Sequence, residues 1–384
     1  MTVVGIDGSS LISGGARTHI QEILRQVDPR EAGIDRVILW GQKQLLKTLE
    51  PRPWLSLQQS RWLEKGLLPR TFWKSWILPW EAWRRGCRLI YIPAGDGSQR
   101  FLPYVAMSRN ILPFMPKELD RYGRFSKEWL KLSLLRYTQL RSFRNARGTI
   151  YLTEQARKTI AGWGGKLSPS TVIPHGVSRQ FCLAARSHRK FSQFSREAPA
   201  RILNIGPIEP AKHQWLLVAA VQKLRQRGIP VCLDLVGPTI HPLMQQRLQQ
   251  AIASADPGAV TCHGPVPHSD LPSYLKDCDL FCFTSSCENF PNTLVEGMAS
   301  GAPVVAWRGS PMQEILADGG DYFSDLESDS MSLALENMLR DQSRRATASQ
   351  RAQQLASQYH WATCARATFE YLALCAKDPK GARS

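Results

Sequence analysis

The chain has 384 residues, is 43% hydrophobic and 21% charged, and carries a formal net charge of +17. That length exceeds one ordinary domain and the composition is that of a soluble globular chain, which excludes a disordered or fibrous protein and points to two domains, each with a buried core. Residues 1–200 hold 33 Lys or Arg against 14 Asp or Glu, whereas residues 201–384 hold 16 against 18, so the basic excess belongs to the first half. A one-sided basic surface suits a polyanionic partner such as anionic lipid, a phosphorylated substrate or nucleic acid.

The first apolar run, residues 2–7, opens the chain as a strand rather than as a basic leader, so no signal peptide is expected. No apolar run approaches the ~18 residues of a transmembrane helix, and none is expected. Further strand-length runs fall at 36–41, 89–94, 104–108 and 149–153, then at 202–206, 231–236, 259–263, 279–285 and 303–307. Helical-period segments such as 211–227 and 268–277 lie between them. This alternation predicts parallel sheets covered by helices, in two sets, with a seam in the polar and basic stretch 178–200. The turn after the first strand, Gly8-Ser-Ser-Leu-Ile-Ser-Gly14-Gly15, lacks the G-x-G-x-x-G of a dinucleotide site, which argues against a nicotinamide enzyme. Nine cysteines, odd in number and without framework spacing, read as reduced thiols, and Cys278 and Cys282 as small buried hydrophobes.

Residues 51–90 hold Trp54, Trp62, Trp73, Trp76, Trp80 and Trp83 among eight Lys or Arg. Interfacial tryptophan with cations suits an anionic membrane surface, and a domain core with a solvated charged face meets the same pattern. Residues 124–147 read as a roughly amphipathic helix with Trp129, Leu132, Leu140 and Phe143 on one face, against which Arg136 is out of place. Arginine with aromatics also suits single-stranded nucleic acid, but no recognition motif accompanies it and no nucleic-acid partner is expected.

The richest segment runs from Ser285 to Glu296, Ser-Ser-Cys-Glu-Asn-Phe-Pro-Asn-Thr-Leu-Val-Glu. It follows a strand and leads into a helix that ends at Gly301 and Pro303. The spacing of Thr293 and Glu296 is that of a capping box, and free amides near Asn292, Thr293 and Leu294 at a helix start would form an anion site. Glu288 just before it offers acceptor lone pairs to hydroxyl groups. A plain capping box and a solvated loop carboxylate satisfy the same spacing.

Glu288 and Glu296, seven residues apart in the context E-N-F-P-N-T-L-V-E-G-M-A-S-G-A-P-V-V-A, resemble the E-x7-E motif of retaining GT-B glycosyltransferases, family four in particular. Residues 201–214, the Thr171–Val177 stretch with Phe181, His263-Gly264 and the Gly14-Gly15 turn resemble further anchors of that family in order. The resemblance implies an α/β, GT-B fold of two Rossmann-like domains facing across a cleft. Residues 1–177 would be the acceptor-side domain, with a C-terminal helix at 361–376 packing back on it; 178–200 would be a linker and 201–360 the nucleotide-sugar domain.

It implies a retaining, metal-independent transfer of a hexose from a UDP- or GDP-sugar co-substrate, without other cofactor, to a lipid-linked or growing saccharide acceptor in envelope polysaccharide or glycolipid synthesis. Lys212 would face the donor diphosphate, Glu288 the hexose and Glu296 the ribose. Gly206, Gly264, Asn289, Phe290, Asn292, Thr293 and Leu294 would complete the donor site. Gly14, Gly15 and Asn110 would lie on the acceptor side, with Glu288, Lys212 and Asn110 as the catalytic set. Two departures are plain: Pro207 stands where many members have arginine, and Arg109 or Asn110 where many have histidine. They keep open a non-catalytic sugar-nucleotide or polysaccharide-binding subunit, or an epimerase of the same fold. The expected location is cytoplasmic, peripheral on the inner face of the cell membrane.

Overall fold

The computed structural model describes residues 1–11, 15–96, 103–165 and 167–377. These form two compact units, each built on a parallel sheet. The first comprises Met1–Phe114, Phe125–Gly176 and His360–Ser384, and the second Met115–Arg124 and Val177–Tyr359.

The first unit holds β1 (Val3–Gly8), β2 (Arg36–Gly41), β3 (Leu55–Gln59), β4 (Cys87–Ile92), β5 (Tyr104–Met107), β6 (Gly148–Tyr151) and β7 (Ser170–Val172). Their order in the sheet is β3-β2-β1-β4-β5-β6-β7, all parallel. The second holds β8 (Ala200–Ile205), β9 (Val231–Val236), β10 (Val260–Gly264), β11 (Leu280–Phe283), β12 (Val304–Trp307) and β13 (Gly320–Phe323). Their order is β10-β9-β8-β11-β12-β13, again all parallel. In each sheet the strand order reverses once, beside β1 and beside β8, which marks the C-terminal ends of those strands as ligand positions.

All ten strand-length runs of the sequence appear, shifted by a residue or two. Three strands lie outside the expected set, β3, β7 and β13, and all three sit at sheet edges. Edge strands bury one side less completely and lose the continuous apolar signature; Leu55–Gln59 and Ser170–Val172 are only half-buried along most of their length. Residues 178–200, read as a seam, belong to the second unit, and the helix Trp361–Lys377 belongs to the first. There Arg147 Nη1 donates to the Cys375 carbonyl at 2.9 Å.

The helix Gln214–Gln226 shows how the sequence makes the second core. Leu217, Val218, Ala220, Val221 and Leu224 recur at helical spacing, are fully buried, and pack with Ile202, Leu233 and Leu235 of the sheet. Each large side chain among them contributes about 1.5–3 kcal/mol by leaving water. The site-bearing turn behind β8 depends on one glycine. Gly237 adopts φ +148°, and a Cβ there would lie 2.1 Å from the Gly206 carbonyl oxygen. The Gly206 amide in turn donates to the Val236 carbonyl at 2.9 Å.

The tryptophans divide between the two readings. Trp54 and Trp73 are core residues, whereas Trp62, Trp76, Trp80 and Trp83 are exposed together with Leu68 and Phe72. The turn Trp73–Ile77 is a π-helix between the helices Leu67–Phe72 and Leu78–Arg84. It turns Lys74 inward, where its ammonium meets Asp96 at 2.7 Å and Asp7 at 3.5 Å. The helix expected at 124–147 spans Lys127–Asn145. Phe143 is buried as expected, but Trp129, Leu132 and Leu140 are only half-buried, and a second stripe of Leu130, Leu134 and Tyr137 faces out. Arg136 fits its apolar face because its guanidinium stacks 4.3 Å above the Trp163 ring. No helix among the described residues is long and apolar enough to cross a membrane.

Gly237→Ala is expected to cost about 2–3 kcal/mol, because the added carbon strikes backbone that cannot rotate away. The urea-unfolding midpoint of the purified chain measures it, and an unchanged midpoint would show that the Gly206–Gly237 approach is not needed.

Candidate functional site

In the second unit the loops after β8 and β11 meet. Asn204, near the end of β8, donates through Nδ2 to the Cys282 carbonyl at 2.8 Å and to Thr284 Oγ1 at 3.3 Å. The Thr284 hydroxyl donates onward to the Lys212 carbonyl. The Ser286 amide donates to the Ala211 carbonyl at 2.8 Å. These bonds hold Lys212 opposite Glu288, and the two side chains form a direct ion pair, 16% and 15% exposed. Burial pushes the Lys212 ammonium down, but Glu288, with help from Glu209, holds it above the ordinary lysine value. Burial together with Glu288 raises the Glu209 carboxyl, against the pull of Lys212. An ammonium has three N–H donors, so Lys212 can serve Glu288 and a second anion together.

A buried network braces this pair from behind. Ser286 Oγ donates to Glu118 Oε2 at 2.6 Å and lies 2.8 Å from His213 Nε2. Glu118 Oε2 also meets Arg121 Nε at 3.0 Å. His213 starts the helix Gln214–Gln226 in the left-handed region, at φ +54°. Burial, then Arg121 and Arg247, lower its imidazole to about 3, so it is neutral at physiological pH. A non-glycine residue held in the left-handed region is backbone strain at the edge of the site.

The helix after Pro291 corrects the expected capping box. It spans Asn292–Ala299 with Pro291 as the flanking residue and no side-chain cap. The Pro291 carbonyl already accepts from the Leu294 amide at 3.0 Å and the Val295 amide at 3.1 Å, so the helix has begun before Thr293 could cap it. Glu296, one turn in and 9% exposed, instead accepts from His268 Nε2 at 2.9 Å. The Asn292 amide donates to the Phe290 carbonyl at 3.0 Å. Of the three amides expected to serve an anion, Thr293's is the one that makes no such bond among the described residues.

Of the other expected residues, Gly206 has open space where a Cβ would stand, with Lys212 Cδ at 3.9 Å, and Gly264 at φ +68° has none of its neighbours within 4 Å of that position. Asn289 and Phe290 are buried, and the Phe290 ring stands edge-on to Tyr359 at 5.6 Å. Gly15 begins the helix Gly15–Gln26, while Gly14 lies outside the described residues. Asn110 closes a turn in the first unit: its Oδ1 accepts from the Leu112 amide at 3.0 Å. Pro207 brings no charge, and its carbonyl accepts from Gln214 Nε2 at 2.9 Å. Sequence reasoning missed Glu118, Glu209, His213, Ser286 and His268. Ser286 and His213 adjoin expected residues, but Glu118 is 168 positions from Ser286 and nothing in spacing connects them.

Residues 186–355 match the family model described as Glycosyl transferases group 1. The chain is 28% identical over 169 residues to O-antigen chain mannosyltransferase B of Escherichia coli, covering 43% of this chain and 44% of that one. It is 30% identical over 156 residues to phosphatidyl-myo-inositol mannosyltransferase of Mycolicibacterium smegmatis, covering 40% and 39%. The match spans less than half the length of either relative. The solved structure of Anabaena Alr3699/HepE in complex with UDP-glucose superposes with a TM-score of 0.73 at 20% identity, over 97% of this chain and 100% of that one. The fold is therefore the GT-B fold, two Rossmann-like parallel-sheet domains. The second unit carries a glycosyl transferases group 1 domain.

The Glu296 carboxylate raises the His268 imidazole above its usual 6.5, and burial raises Glu296 itself. A raised histidine stabilises the folded state fully below its unfolded value, and that contribution fades as pH climbs through the folded one. By NMR titration His268 is expected to protonate above 6.5 and to fall back to that value or lower in Glu296→Gln. An unshifted titration would mean that the pair does not form in solution.

Proposed function

We propose that this chain is a glycosyltransferase of family-four type that moves a hexose from a UDP- or GDP-sugar to a saccharide or lipid-linked acceptor in polysaccharide or glycolipid synthesis. The Lys212–Glu288 pair carries the reading. It lies behind the C-terminal ends of β8 and β11, where an open parallel sheet takes its ligand, and inside the stretch matching the family model. As the bond between the sugar and the diphosphate breaks, the electron pair leaves with the diphosphate and negative charge grows there. The Lys212 ammonium, kept protonated by its carboxylate neighbours, and the Thr293 amide at the helix start are the groups that stabilise that charge, without calling on a metal. Glu288 keeps a free oxygen for a sugar hydroxyl, and Glu296, fixed by His268, takes the ribose. Retention at the anomeric carbon is taken from the motif resemblance. UDP-glucose bound to the Anabaena structure supports a UDP-sugar, and the two mannosyltransferase relatives support an envelope glycan or glycolipid product.

Lys212→Met is expected to lower turnover about 100- to 1,000-fold, the scale seen when a preorganised charge-stabilising donor is removed. A thermal-shift screen against UDP- and GDP-sugars selects the donor, since a ligand of the native state raises its apparent stability. The anomeric coupling constant of the product reports the stereochemistry, and chelator-insensitive turnover is expected. Wild-type rates in Lys212→Met would refute the assignment, and sugar-nucleotide binding without transfer to any acceptor would favour a binding subunit.

The enzyme works, in this reading, on the cytoplasmic face of a membrane, held there peripherally through the first unit. Leu68 is 82% exposed, Trp83 64% and Trp80 50%. Cations stand over these rings: Arg84 lies 4.8 Å from the Trp80 centroid and Lys65 5.6 Å from that of Trp62. Aromatic side chains seat at the headgroup level, and each nearby cation adds about 1 kcal/mol against an anionic leaflet. The full chain should co-sediment with phosphatidylglycerol-rich vesicles, less with phosphatidylcholine alone, and several-fold less after the double change Trp80→Ser and Trp83→Ser. Equal binding to both vesicles, or to neither, would exclude the lipid surface.

A further inference from the structure

Among the described residues, buried cations are answered from within, with one exception. Lys74 has Asp96 and Asp7, and Lys212 has Glu288. Arg345 donates to the carbonyls of Met338, Leu339 and Arg189, and Arg186 to those of Gly301, Leu275, Lys276 and Cys278. Arg109 has neither carboxylate nor carbonyl among the described residues. Its Nε and Nη1 are sealed from solvent and have no hydrogen-bond partner among the described residues.

The groups around Arg109 do not supply the missing charge. Burial pushes the guanidinium down to about 10, and the Tyr91 phenol is the one group acting to raise it. Burial in turn pushes the Tyr91 phenol up, so it stays neutral. The Tyr91 hydroxyl donates to Met107 Sδ and lies 2.9 Å from His19 Nε2. His19 is held well below the usual histidine value by burial, then by His175 and Arg109 themselves. A desolvated cation among neutral neighbours is costly, and proteins retain one where an external anion completes it. Arg109 stands two residues past β5, at the C-terminal end of the first sheet, and as a whole is only half-buried; Nη2 is not among its sealed donors, so an anion can approach the guanidinium along that edge.

We infer that Arg109 forms an oxyanion subsite in the first unit that takes a phosphoryl group of the acceptor. Guanidinium matches a phosphate in shape and charge, and His19 and Tyr91 are hydrogen-bonded to each other, and Tyr91 to Met107, so they do not compete for the anion. The naming of the ligand as an acceptor rests on the transferase reading; the subsite itself does not.

Calorimetric titration with inorganic phosphate tests it, using the full chain carrying Lys212→Met so that the diphosphate site of the second unit is silenced. Adding Arg109→Met should weaken phosphate binding about 10- to 100-fold, the worth of charge-assisted hydrogen bonds. The variant should melt no lower than its parent, since it removes an uncompensated charge. Arg109→Lys, which keeps a cation but loses the planar donor set, should fall between them and serves if the methionine form does not fold. No phosphate binding in the parent, or equal binding in the variants, would overturn the subsite. Parallel titrations with glycerol phosphate and with phosphatidic acid vesicles assign the phosphoryl group to a soluble or a lipid-borne acceptor, each only where Arg109→Met weakens the signal by the same factor. UDP titration of the chain with native Lys212 runs alongside; its failure counts against the donor site alone.

Discussion

A single buried amide organises the second unit's chemistry. Asn204 spans from β8 to the chain leaving β11, and through Thr284 it reaches the Lys212 carbonyl. Both loops of the candidate site start from that junction. In a parallel sheet the strand ends carry unpaired backbone groups, and nothing in the strand pairing fixes the loops beyond them. A side-chain relay that satisfies every member supplies that fixity at low dielectric, where each bond is stronger than in water. The ion pair of Lys212 and Glu288 is then held by its surroundings as well as by its own attraction.

The sequence made some of this legible and hid the rest for physical reasons. Central strands were readable because both faces are buried, and their apolar runs are continuous; the edge strands β3, β7 and β13 were not. The Thr293–Glu296 spacing predicted a cap that the structure lacks, because Pro291 starts the helix early and leaves Glu296 free for His268. The family resemblance placed Lys212 and Glu288 after the strands that became β8 and β11, although it could not show that they touch. Glu118 was beyond reach of any local pattern, since its partner Ser286 comes from far along the chain. The tryptophan-rich stretch was ambiguous because it does two things: Trp54 and Trp73 face the core and their neighbours face out.

The basic first half also resolves into distinct uses of charge. Lys74 is consumed by an internal pair, and Arg136 by stacking on Trp163. Arg84 and Lys65 sit over exposed rings, where cation and aromatic together form an amphipathic surface. Net charge therefore overstates how much of this half is free to attract a polyanion, and the arrangement of the cations matters more than their number.

The division of the chain has a temporal side. The first unit ends with the helix Trp361–Lys377, whereas the second contains Met115–Arg124, ten residues drawn from within the first. A ribosome extending the chain by about 5–20 residues per second delivers the last helix of the first unit only after the whole second unit has emerged. During synthesis the early sheet must wait, its apolar faces incompletely covered, while the later one becomes able to close. The covering of the first sheet is thus completed last, after every residue of the second unit has been made.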